Sequence, residues 1–145
     1  MSLTDLLGQE MVSPWRELTQ DAIAQFAAIT GDQQWIHVDV DRAQRESGYG
    51  TTVAHGFLTL ALTSRLLRDA VGSIGGLRMS INYGLNKVRF PAPVPAGSRV
   101  RARCTLQHLQ PVDGGVQATW GVLIERDGGT KPCCAAEWLV RYYNA

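Results

Sequence analysis

The stretch AHGFLTLALTSRLL, Ala54 to Leu67, decides the fold. It is apolar on nearly all sides at helical spacing. A helix with so little polar face is expected to be buried, so the segment is predicted to form a long central helix ending near Gly72. A flexible turn precedes it in Gly48-Tyr49-Gly50-Thr51-Thr52.

Beyond Gly75-Gly76 the pattern changes to β. Residues 78–90 and 98–109 are strand candidates, separated by Pro91, Pro93 and Pro95, which suggest a bent edge or loop. Asp113-Gly114-Gly115 and Asp127-Gly128-Gly129 signal hairpins. Between and after them, Val116, Ala118, Trp120, Val122 and Ile124 share one face, as do Ala136, Trp138, Val140 and Tyr142 in residues 132–143. A buried helix followed by an antiparallel meander predicts an α+β protein, with the sheet wrapped around the helix. The sheet's exposed edges favour pairing with a second copy, so a homodimer or higher homo-oligomer is expected.

Before the central helix, residues 19–30 also read as helical. Thr19 suits the N-cap, Asp21 the positive end of the dipole, and Gly31 the stop. Ala22, Ile23, Phe26, Ala27 and Ile29 form its apolar stripe. A short helix over 40–47 would be capped by Asp39.

The 145 residues fit one domain, 1–145. A net charge of +1 with mixed signs gives no electrostatic case for nucleic acid or an anionic membrane as partner. No apolar run reaches the ~18 residues of a spanning helix, and the N-terminus lacks the pattern of a signal peptide. Cys104, Cys133 and Cys134 are odd in number and without C-x-x-C spacing. They read as buried or half-buried thiols in a reducing cytoplasm.

The candidates for chemistry begin with Asp32 and His37 in TGDQQWIHVD, residues 30–39. On one helix, five residues turn the side chains roughly 140° apart. Gly31 ends the helix before them, so convergence is possible. Two readings stand at this point. The pair holds and polarises a water, one as general base and one as general acid. Alternatively, Asp32 caps a turn and His37 is a satisfied loop histidine.

Ala54-His55-Gly56 begins the central helix, where backbone N–H groups are free and a side-chain-less Gly56 admits a carbonyl oxygen. The same glycine could serve only close packing. His55 is assigned no catalytic role. Ser64 shares a helix face with Leu60 and Phe57 and lacks the context of a nucleophile. Lys87 and Arg89 alternate on one strand and could meet a phosphate; Arg99, Arg101 and Arg103 alternate on another, and most such residues form a solvated face. Three scattered histidines, without a zinc-ligand cluster, make no metal site.

Together these residues resemble the MaoC-like dehydratases, or (R)-specific enoyl-CoA hydratases, of the hot-dog fold. The match rests on Phe26-x-x-Ile29-Thr30-Gly31-Asp32 with Ile36-His37, on Val53-Ala54-His55-Gly56, and on Arg89-Phe90-Pro91-Ala92-Pro93-Val94-Pro95-Ala96-Gly97. INYGLNKVRFPAPVPAG looks most like the nodulation-protein-N-like branch. The resemblance implies a hydratase/dehydratase that interconverts trans-2-enoyl-CoA and (R)-3-hydroxyacyl-CoA. Asp32 and His37 would hold the water, and the Gly56 N–H would form the oxyanion hole. Ser64 and Asn86 would support the site. No metal or redox cofactor is implied, since coenzyme A is part of the substrate. The family's Asn-Pro is Gln34-Trp35 here, so Gln34 would have to make any bond that the asparagine makes. Trp35 would line the acyl tunnel or pack as core. Two alternatives on the same fold are an acyl-CoA thioesterase and a non-catalytic acyl-CoA-binding subunit.

Overall fold

A computed structural model describes residues 1–144. Side-chain caps set the helices of its first half. Helix α1 (Leu3–Leu6) opens on a capping box between Ser2 and Asp5. Helix α2 (Gln20–Thr30) starts where Thr19 Oγ1 accepts the Ala22 N–H at 3.1 Å. It stops at Gly31, whose φ of 76° is the left-handed conformation glycine reaches without strain. Ile23 and Ala27 are buried, as the stripe predicts. Ile29 is exposed, because it lies roughly 240° around the helix from Ile23. A single turn α3 (Trp35–Val38) leads into α4 (Val40–Glu46), which Asp39 caps by accepting the Arg42 N–H.

The central segment is helical from Gly56 to Val71 in two pieces, α5 (Gly56–Ala61) and α6 (Thr63–Val71). Leu62 joins them in right-handed helical conformation, its N–H bonded to Leu58 O. Gly72 ends the helix where the sequence predicts. Burial on nearly all sides is not what is found. Leu58, Thr59, Thr63, Leu66 and Leu67 are buried, yet Phe57 is 71% exposed, and Ala61, Ser64 and Arg65 are exposed too. A single sheet covers one side of the helix, and the other side is left uncovered among the described residues.

The strands β1 (Glu10–Val12), β2 (Arg16–Leu18), β3 (Leu77–Arg89), β4 (Ser98–Val112), β5 (Gly115–Arg126) and β6 (Cys134–Asn144) form one antiparallel sheet. Its order is β1-β4-β5-β6-β3, with β2 also on β4. The hairpins β4–β5 and β5–β6 turn at Gly114 and Gly128, both with positive φ, inside the two Asp-Gly-Gly sequences. A plain meander is corrected at β3, which pairs with β6 and not with its successor β4. The prolines explain this. Pro91, Pro93 and Pro95 have no N–H for a ladder, so residues 91–97 cross beside 52–54 instead. There Ala54 N–H bonds Val94 O at 2.8 Å and Ala96 N–H bonds Thr52 O at 2.9 Å.

The alternating faces meet as predicted. Ala118, Trp120, Val122 and Ile124 join Trp138, Val140 and Tyr142 in one cluster with Leu6, Ile23 and Leu66. Each large apolar side chain so buried contributes ~1.5–3 kcal/mol. Trp120 Nε1–H donates to the Tyr142 hydroxyl at 3.0 Å, so neither polar atom is orphaned. All three cysteines are buried, free thiols, and burial pushes Cys104 up to about 12 and Cys134 to about 11. Strand β3 leaves one edge open, with Met79, Ile81, Tyr83 and Leu85 exposed along it. Among the described residues no helix is long and apolar enough to cross a membrane.

Candidate active site

His37 and Asp32 follow the end of α2. His37 is buried on α3, and three contacts fix it. Its N–H bonds Gln34 O at 3.0 Å. Its own carbonyl accepts from Gln20 Nε2 at 2.8 Å, and Gln20 Oε1 in turn accepts from the Thr52 hydroxyl. Its ring Nδ1 lies 2.6 Å from the Val53 carbonyl. A carbonyl only accepts, so Nδ1 carries the proton, and the free position of the neutral ring is Nε2.

Asp32 is exposed, in the irregular segment 31–34. Its N–H reaches Thr30 Oγ1 at a long 3.4 Å, and its carbonyl accepts from His55 Nε2 at 2.9 Å. His55 stacks on His37, ring centroids 3.7 Å apart and planes 22° from parallel. A carboxylate oxygen of Asp32 and one ring nitrogen from each histidine all lie within 4.8 Å of one another. A water making two hydrogen bonds of ~2.8 Å near its tetrahedral angle separates its partners by ~4.6 Å, a separation that falls within that limit.

Gly56 is the first residue of α5 and directly follows His55. Its N–H has no backbone acceptor among the described residues. A Cβ placed there would sit 3.0 Å from the Phe90 ring, so that ring packs tightly against the glycine.

The remaining predicted residues are spread out. Gln34 is exposed, and its side chain does not cap α3. Backbone bonds from His37 and Asp39 to Gln34 O and Trp35 O shape that turn without proline. Trp35 is half-buried beneath the Arg42 guanidinium, 4.2 Å from its ring centre, and lies outside the main core cluster. Ser64 borders a cavity of about 260 Å³ between helix and sheet, together with Phe57, Leu60, Asn82 and Trp138. Trp138 Nε1–H donates to Asn82 Oδ1 at 3.2 Å in its wall. Asn86 is exposed further along β3 and does not border that cavity. Lys87 and Arg89 are exposed in a groove with Glu10, Arg103 and Glu137, apart from Asp32 and His37. Arg101 and Arg103 of β4 pair with Glu125 of the adjacent β5.

Sequence reasoning missed Gln20, Thr52, Asn82 and Trp138. Each acts through a partner more than 15 positions away, and nothing local marks it.

A family model described as "MaoC like domain" matches residues 3–126. The chain is 52% identical over 131 residues to "3-hydroxyacyl-thioester dehydratase Z" of Mycobacterium tuberculosis, covering 90% of this chain and 85% of that protein. It is 40% identical over 144 residues to "Nodulation protein N" of Rhizobium leguminosarum bv. viciae, covering 96% and 89%. Among solved structures, it is similar to the "(R)-hydratase from A. caviae involved in PHA biosynthesis", with TM-score 0.75 and 26% identity over 92% of this chain and 94% of that one. The sheet and its central helix are the hot-dog architecture of these dehydratases.

Proposed function

The chain belongs to the MaoC-like domain family, and from that premise we propose that it is an (R)-specific hydratase/dehydratase of trans-2-enoyl and 3-hydroxyacyl thioesters. The observation that carries the proposal is the gap within 4.8 Å between the Asp32 carboxylate and a His37 ring nitrogen, with His37 Nδ1 already committed to Val53. Asp32 and His37 Nε2 hold one water. As its oxygen bonds the β-carbon, one of the pair removes a proton, and the double-bond electrons move through the α-carbon to the thioester oxygen. The Gly56 N–H stabilises that developing enolate. The pair then returns a proton to the α-carbon as the thioester C=O re-forms, giving the (R)-3-hydroxyacyl thioester. Dehydration is the same path reversed.

The named activities of the similar dehydratase and hydratase support this reading. Coenzyme A enters as part of the substrate, and no separate cofactor takes part. Lys87 and Arg89, at the end of the open strand, are the cations available to its phosphates. The working form is a homodimer. The open 13-residue edge of β3 and the uncovered apolar side chains Ile81, Tyr83, Leu85 and Phe57 support a second copy as the occupant.

The test is addition of the protein to crotonyl-CoA with a thiol reagent present. Loss of the enoyl absorbance without thiol release is the expected result. Thiol release without that loss would assign a thioesterase instead.

A further inference from the structure

We propose that His55 is a positioning residue that sets the distance between the two halves of the site. The inference rests on the hydration reading above. His55 takes part in three relationships at once. Its ring Nε2–H donates to the Asp32 carbonyl at 2.9 Å. Its ring face stacks on His37 at 3.7 Å. Its carbonyl carbon is bonded to the Gly56 nitrogen, so its backbone carries the N–H assigned to the enolate oxygen. One residue therefore links the carboxylate, the imidazole and the oxyanion donor.

The Asp32 segment is held at its two ends, by Gly31 N–H to Ala27 O and by His37 N–H to Gln34 O, each at 3.0 Å. Residues 31–34 lie outside helix and strand, and the Asp32 N–H bond to Thr30 is long. The His55 bond is the short anchor of the Asp32 backbone. His55 is itself confined, 3% exposed, with Phe26 tilted against its other side at 4.9 Å. A rigid anchor for the carboxylate's backbone is what a water-holding pair requires, since a misplacement of ~1 Å can cost ~10²-fold in rate.

The cost of keeping this histidine argues in the same direction. Its Nδ1 is buried with no hydrogen-bond partner among the described residues. A leucine or phenylalanine would fill the space without orphaning a polar atom. What only the imidazole supplies is a flat face for His37 together with a donor for Asp32.

Two variants separate positioning from packing. His55→Phe keeps an aromatic face and loses the donor. His55→Gln loses the face and keeps an N–H donor. In crotonyl-CoA hydration, His55→Phe is expected to lower kcat by ~10–100-fold, with KM changed by less than ~3-fold. His55→Gln should recover most of the lost kcat, although its thermal midpoint is no higher than that of the Phe variant. Should the Phe variant not fold, His55→Leu replaces it and is read in the same way. A donor-free variant with wild-type kcat overturns the inference. So does a Gln variant as slow as the donor-free one. Wild-type protein with no hydration at all overturns the proposed function and this inference together, whereas normal wild-type turnover beside an unaffected Phe variant overturns this inference alone.

Discussion

The Nδ1–H of His37 donates to the carbonyl of Val53 at 2.6 Å, across 16 positions of sequence. This bond fixes the ring's tautomer and leaves Nε2 to face the chemistry. Replacing the ring with phenylalanine preserves the stack on His55 and removes both nitrogens. His37→Phe should therefore lower kcat for crotonyl-CoA hydration by ~10²–10⁴-fold. Near-native circular dichroism would show that the loss is chemical. Activity within tenfold of wild type would remove His37 from the mechanism.

Gly56 and Phe90 form a second dependent pair. A methyl at Gly56 would lie 3.0 Å from the Phe90 ring. Gly56→Ala should cost ~1–3 kcal/mol by overpacking, and Phe90→Ala in the same chain should relieve part of that cost. Urea unfolding of the two single variants and the double variant measures the coupling. Strictly additive effects would show that the contact is not tight.

The open edge of β3 predicts an oligomer sensitive to charge. Ile81 is exposed on that strand, so lysine is tolerated there in a monomer and disfavoured in an apolar interface. Ile81→Lys should shift the mass in sedimentation from dimer toward monomer while each chain stays folded. A wild-type monomer at micromolar concentration would contradict the dimer.

Asp69 gives a pH dependence. Its carboxyl accepts from Arg16 Nε at 2.5 Å and from Arg65 Nε at 3.0 Å, and the Arg16 bond chiefly holds it below the ordinary carboxylate range. A carboxyl depressed in the folded state stabilises the fold above its unfolded value, near pH ~4. That contribution is lost as the pH falls through the folded value. The thermal midpoint of Asp69→Asn should lie below wild type at pH 7 and approach it as the pH drops below ~4. A gap that stays constant with pH would mean the pair does not contribute by charge.

Much of this architecture was legible locally. The Thr19 cap, the Gly31 stop, the Asp39 cap and the alternation from Val116 to Ile124 each depend on neighbours in sequence, and each is found. What was not legible depends on distant partners. Strands β1 and β2 have three residues each, too few to show a period, and exist because β4 offers them an edge. The pairing of β3 with β6 is set by where the proline segment crosses. The uncovered face of Phe57 and Ala61 follows from how much helix one sheet can cover. At the site, Asp32 and His37 were visible as residue types, and Gly31 made their approach possible. Gln20, Thr52 and the donor role of His55 could be found only in three dimensions.

The central claim is that Asp32 and His37 hold the water that adds to the double bond. Asp32 is exposed, and its carboxylate has no side-chain partner among the described residues. Asp32→Asn therefore removes the charge with little effect on the fold. Side-by-side hydration of crotonyl-CoA by wild type and Asp32→Asn is the most direct test. The account predicts (R)-3-hydroxybutyryl-CoA from wild type, with kcat at least ~10²-fold lower in the variant at an unchanged thermal midpoint. Equal rates for the two proteins would contradict it.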